Sequence, residues 1–175
     1  MTETVPFPVD PPGIDDKGRG TVIFVPTIAD LDAPTVAEIE AGVNLSCVLY
    51  AFNVAPTQNR VERVKYCYKV IAEQFGQARY AIDPVEYDYD PQDPDSDDYG
   101  HYGELYAGRR GFLIDRRGLD VAEAVEAGQY VDVIPVELGI QGRMAVDPRE
   151  EGGKLRIRQE IAVVGEPVLD ATVAA

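Results

Sequence analysis

Apolar and polar positions alternate with a period of two along much of this chain, and that alternation predicts strands. Thr21–Thr27 (TVIFVPT) is a β-branched, apolar run and reads as the first strand. In Val43–Asn53, Val43, Leu45, Cys47, Leu49 and Ala51 share one face. In Arg60–Val70, Val64, Tyr66, Tyr68 and Val70 share an apolar face, with Arg63, Lys65, Cys67 and Lys69 opposite. The turn-rich VAPTQN joins these two segments. Matching their apolar faces puts Cys47 and Cys67 on opposite sides of the sheet, which disfavours a disulfide and predicts one core thiol and one strand-face thiol. Arg79–Asp90 alternates as well, with Val85, Tyr87 and Tyr89 on one side and Glu86, Asp88 and Asp90 on the other. Gly111–Gly118, Gln129–Leu138 and Lys154–Gly165 read as further strands. In the last, Leu155, Ile157, Gln159, Ile161 and Val163 oppose Lys154, Arg156, Arg158 and Glu160. Glu166–Ala174 closes the chain.

Helical signals are few. Ala33–Gly42 has Thr35 and Glu38 at capping-box spacing and Gly42 as a stop. Asp98–Gly108 and Asp120–Gly128 have the composition of short helices, the former weakened by Gly100 and Gly103. Residues 1–20 are rich in proline and read as an extended arm preceding one domain at 21–175. An acidic loop near 90–104 and a long loop near 139–153 interrupt that domain. There is no internal repeat and no βαβ rhythm. The expected fold is mainly β: an antiparallel sandwich or barrel with one or two short flanking helices.

Composition narrows the function. The chain has 175 residues and 45% hydrophobic residues, enough for a core, and a formal net charge of −15. Such a charge repels nucleic acid and anionic lipid. No apolar run is long enough for a membrane span, and the N-terminus lacks the features of a secretion signal. Synthesis in a reducing cytoplasm is therefore expected. Two cysteines are too few for a disulfide framework or a four-thiolate zinc site.

Nine acids and no Lys or Arg lie between Asp83 and Glu104. Asp93, Asp95, Asp97 and Glu104 match positions one, three, five and twelve of a calcium loop. Asp98 stands at position six, where the loop needs glycine, and the upstream flank has strand alternation rather than a helix. A solvated acidic loop is the simpler reading. The single histidine, His101, sits in a Gly/Tyr-rich segment. Neither Ser46 nor Ser96 lies in a nucleophile turn, and both cysteines fall in predicted strands. No hydrolytic constellation emerges. Arg109, Arg110, Arg116 and Arg117 flank one strand, and Arg156 and Arg158 share a face. Basic patches on an acidic chain suggest head-to-tail contact with acidic patches of other copies.

The order and spacing of Phe24–Gly42, Tyr87–Gln92 (YDYDPQ), Tyr106–Gly118, Gly128–Gly139 and Ile157–Ala174 resemble the major tail proteins, or tail tube proteins, of long-tailed phages of actinobacteria. The resemblance spans most of the chain from about Gly20. It implies a β-sandwich or barrel subunit that builds rings, typically of six copies, which stack into a tube in the virion. It also implies assembly in the host cytoplasm, contacts with tape measure and tail terminator proteins, and passage of genomic DNA without specific binding. Neither a cofactor nor catalytic residues follow from it. Related alternatives are a tail terminator or head decoration protein, or a calcium-binding module. An acidic wall would favour DNA passage with little sticking, and Glu86 and Asp88 are the candidate lumen or rim acids. The 1–20 arm and the 139–154 loop are the candidate ring-to-ring contacts.

Overall fold

The computed structural model describes residues 13–94, 96, 99–145, 149 and 153–175. Strand β1 (Gly20–Val25) is buried from Thr21 to Val25, which explains its unbroken apolar run. Both faces of its sheet are covered. Val22 and Phe24 enter one core with Leu113, Ile134, Val136, Tyr87 and Ile157. Ile23 and Val25 enter a second with Ile39, Ile114, Val131, Val133 and Val173.

The main sheet is antiparallel. It runs β2 (Val43–Asn44), β1, β6 (Arg110–Arg117), β7 (Tyr130–Arg143), β8 (Arg156–Val163), β5 (Val85–Asp88), with β9 (Val168–Thr172) also paired to β7. The sheet curls into a half-barrel around the first core. Its two edges approach each other through the segment after β2. Tyr50 N donates to Glu86 O and Asp88 N donates to Val48 O, so residues 48–50 cap the β5 edge. The expected β-rich fold is therefore present, with a short helix on the outer face.

Val43–Asn53 departs from the expected strand. Only Val43–Asn44 is extended; the Asn44 side chain then accepts from Ser46 N and Oγ, which turns the backbone. Val48 N and Leu49 N both donate to Leu45 O, so Leu45, Val48 and Leu49 meet the core from a single helical turn. Leu45 and Leu49 satisfy both a two-residue and a four-residue period, and tertiary packing selects the second. Cys47 and Cys67 are free and exposed, and neither lies in a strand. The expected core thiol and the opposite-face argument both fail here.

Helix α1 (Val36–Glu40) has the expected capping box. Thr35 Oγ1 accepts from Glu38 N, and the Glu38 carboxylate accepts from Thr35 N at 2.9 Å and from Ala29 N at 2.8 Å. Gly42 ends the helix by a close approach: a Cβ there would lie 2.8 Å from Phe24 O. The backbone bonds from Thr35 and Ala29 hold the Glu38 carboxyl below its ordinary pKa of 4.5. A lowered folded pKa stabilises the fold above the unfolded value and loses that effect as acid protonates the folded state. The stability difference between parent and Glu38→Ala should thus be constant from pH 7 to about 4.5 and shrink below it. Thermal melts across that range test this; a difference that grows in acid would refute it.

Two other segments differ from expectation. Asp120–Gly128 is a loop, not a helix. The buried Arg116 guanidinium donates to the carbonyls of Asp120, Glu123 and Ala124, so the cation takes acceptors that helical N–H groups would use. Residues 139–143, expected in the long loop, extend β7 past a bulge between Leu138 and Gln141. Gly139 fits that bulge because a Cβ would lie 2.7 Å from Glu160 O. The rest of that loop at 146–148 and 150–152, and residues 1–12 of the arm, lie outside the described residues.

Candidate functional site

A second sheet stands apart from the half-barrel. It is a two-stranded antiparallel hairpin of β3 (Val54–Arg63) and β4 (Ala72–Ile82). The sequence reading placed a turn at Val54–Asn59 and a strand at Arg60–Val70. In the structure Val54–Asn59 is paired strand, and the turn is at 64–71, closed by Tyr68 N donating to Lys65 O. Pro56 is tolerated opposite Tyr80 because β3 pairs on one side only. The register shifts between Gln58 and Arg60, a bulge of the kind found on exposed edges.

The hairpin base packs through Val54 and Ile82 on the first core, and residues 77–82 face β8 across an open cleft. Beyond the base, neither core of the described residues includes a hairpin side chain. Val61, Val64, Tyr66, Val70, Ile71 and Phe75 are exposed, Val64 and Val70 by 70% and 78%. A lone hairpin is marginal in water, and a contiguous exposed apolar surface marks an interaction site. Its internal support is slight: Arg60 pairs with Glu73 at 3.5 Å, at the surface, and lies over Phe75.

Charge separates the hairpin from the body. Residues 54–82 hold five basic and two acidic residues, a net +3 in a chain of −15, leaving −18 elsewhere. Among the described residues, Arg63, Lys65, Lys69 and Arg79 have no ion pair. The body's bases are largely used at home. Arg109 pairs with Glu104 and stacks over Phe24 and Tyr106. Arg110 pairs with Glu137 across strands, and Arg117 with Asp115. Arg116 is buried. Arg109, Arg110, Arg116 and Arg117, expected to reach acidic patches on other copies, each find a partner within their own chain, Arg116 is buried, and only Arg110 and Arg117 remain largely exposed.

Glu86 and Asp88 sit on the outer face of β5, as alternation predicts, beside Arg158 and Arg156 of β8. Arg156 pairs with Glu86 at 3.5 Å, Lys154 approaches Asp88 at 3.6 Å, and Tyr50 Oη donates to Asp88 at 2.7 Å. These acids are partly shielded and matched by cations. On the inner face Tyr87 Oη donates to Gln159 Oε1, and Gln141 Nε2 donates to Tyr87 Oη. Gln159 and Gln141 also donate to Leu105 O, fastening the chain where it returns from the acidic loop. Burial holds the Tyr87 hydroxyl protonated well above its ordinary range.

Of the calcium candidates, Asp95 and Asp97 lie outside the described residues. Asp93 is exposed and Glu104 is paired with Arg109. No group of three metal-type side chains occurs among the described residues. Ser46 Oγ donates to Asn44 and accepts from Val22 N, a structural role. His101 lies in a 3₁₀ turn (Gly100–Gly103). Among the described residues no helix is long and apolar enough to cross a membrane.

Comparison with known proteins is consistent with an assembly surface. A family model described as phage tail tube protein matches residues 8–175. No curated protein matches the chain.

Proposed function

Because the chain belongs to the phage tail tube protein family, we propose that it polymerises into stacked six-membered rings that form the tail tube of a long-tailed phage of actinobacteria. The single observation that carries this reading is the β3–β4 hairpin. It is folded, basic and apolar, and it projects from a body whose cores draw on it only at its base, through Val54 and Ile82. Such an element gains its burial from another molecule. The virion is then its place of action, with assembly in the host cytoplasm. Tape measure and tail terminator proteins are its neighbours, and genomic DNA is a passing load.

Six copies at −15 each would surround a lumen with −90 formal charges. Duplex DNA carries about one negative charge per 1.7 Å of axis, so such a wall favours passage over adhesion. Glu86 and Asp88 remain the proposed rim acids. Their pairing with Arg156 and Lys154 makes this face less repulsive than the bare sequence suggests.

Negative-stain imaging of the purified protein, alone and seeded with sheared tube fragments, tests the proposal. Hollow tubes or six-fold rings are expected. A protein that stays monomeric even when seeded would defeat the reading, as would calcium-induced stabilisation of a compact monomer.

A further inference from the structure

We infer that the β3–β4 hairpin of one copy docks on a specific acidic face of a second copy, the face built by α1, residues 118–129 and β9. The inference rests on the tube-subunit reading and assigns its contact.

The elements of that face fall within three stretches of sequence that contain no Lys or Arg: residues 20–53, 118–142 and 159–175. Backbone bonds tie them into one surface. Val36 N donates to Ala174 O, Thr172 N to Asp32 O, and Gly128 N to Val173 O. Val36, Val125 and Val168 pack on the same underlying core. Asp30, Glu40, Glu123, Glu126 and Asp170 are exposed there. Arg116 is buried beneath the loop, where its two terminal nitrogens donate to loop carbonyls, and the exposed Arg19 and Arg117 stand only at the margin, beside Gly118. The face therefore presents carboxylates with no exposed base of its own segments.

The hairpin is the complement. Its Arg63, Lys65 and Lys69 have no ion pair among the described residues, and they interleave with exposed Val64, Tyr66 and Val70. On β9, one of the elements of the acidic face, Leu169 is exposed for apolar contact. Opposite charges around an apolar centre give both burial and register. The hairpin base lies against β8, whereas the acidic face covers the second core, so the two surfaces are different patches of one chain. Contact between unlike patches is heterologous and propagates from copy to copy, closing into rings or extending as a filament. A second copy is thus the occupant that both the charge pattern and the geometry of repetition select.

A charge exchange tests this. One variant carries Arg63→Glu, Lys65→Glu and Lys69→Glu; a second carries Glu40→Lys, Glu123→Lys and Glu126→Lys; a third combines all six. Circular dichroism and melting confirm that each is folded. Each triple variant should raise the concentration for half-maximal tube formation by about tenfold or more, because like charges then meet. The combined variant should return to within about threefold of the parent, since the complementarity is merely inverted. Tubes that form normally despite the hairpin changes would overturn the inference, and so would a combined variant no better than the worse triple. Normal tubes that fail only to enter virions would also overturn it, assigning the hairpin to another tail protein. If the parent itself forms no tubes, the functional reading falls first; if only the charge exchange fails, that reading stands without this contact.

Discussion

Replacing Arg116 with methionine is expected to lower the unfolding free energy by about 3–5 kcal/mol. The side chain is almost wholly buried, and its guanidinium makes five hydrogen bonds. Nη2 donates to Thr21 Oγ1, Asp120 O and Glu123 O, and Nη1 to Ala124 O and Gln129 Oε1. No carboxylate pairs with it among the described residues; carbonyl dipoles carry the compensation. A buried cation costs several kcal/mol to desolvate, so methionine removes a burden as well as a partner. What decides the sign is the set of acceptors left behind. Three loop carbonyls, an amide oxygen and a hydroxyl would lose their donor at once, each worth about 1–3 kcal/mol if it stays dry. Water reaching the loop side recovers part of that, which brings the sum down to the stated range. For a chain of this length the melting point should fall by about 6–20 °C. Arg116→Lys keeps the charge but not the fork, and should lose at least about half as much. Denaturant melts of the three proteins decide the matter. A loss below about 1 kcal/mol for methionine would mean that the loop organises itself and the cation is incidental.

The same residue shows where sequence reading ends. Asp120–Gly128 has helical composition, and nothing local forbids a helix. The competing donor comes from β6, several residues upstream, and only the fold brings it under the loop. Alternation was reliable where one face meets a core, as in Val85–Tyr89 and Ile157–Val163, because period two then reports a real difference between the faces. It failed in Arg60–Val70, where Val64, Tyr66 and Val70 lie exposed in the hairpin turn rather than on a strand face. The capping box was legible because Thr35 and Glu38 satisfy each other within one turn. Of the arginines, sequence adjacency suggested a patch, but a strand sends neighbours to opposite sides. The interaction element did leave a trace. Five of sixteen Lys and Arg fall within residues 54–82 with only two acids, on a chain otherwise rich in carboxylates. That contrast, rather than any motif, is the signal that finds the hairpin.

Cutting the hairpin back should separate folding from assembly. Replacing residues 59–77 by Asn-Gly keeps the paired Thr57–Arg79 and Gln58–Ala78 and closes them with a two-residue turn suited to strand twist. The core contributions of Val54 and Ile82 are retained, and neither core draws a side chain from the deleted part. The removed segment exposes apolar surface in the free subunit, so its loss should shift the melting point by no more than about 4 °C, equivalent to about 1 kcal/mol. Assembly should respond very differently. The shortened protein loses Arg60, Arg63, Lys65 and Lys69 together with the exposed Val64, Tyr66 and Phe75, and is expected to form no tubes at concentrations about a hundredfold above the parent's threshold, a penalty near 2.7 kcal/mol per contact. Paired melting curves and seeded assembly followed by sedimentation measure the two effects side by side. Tubes forming at the parent threshold would show that the hairpin is not an assembly element, whatever its charge. A collapse in melting point would show instead that its outer strands support the subunit's own fold, although neither core draws a side chain from residues 59–77.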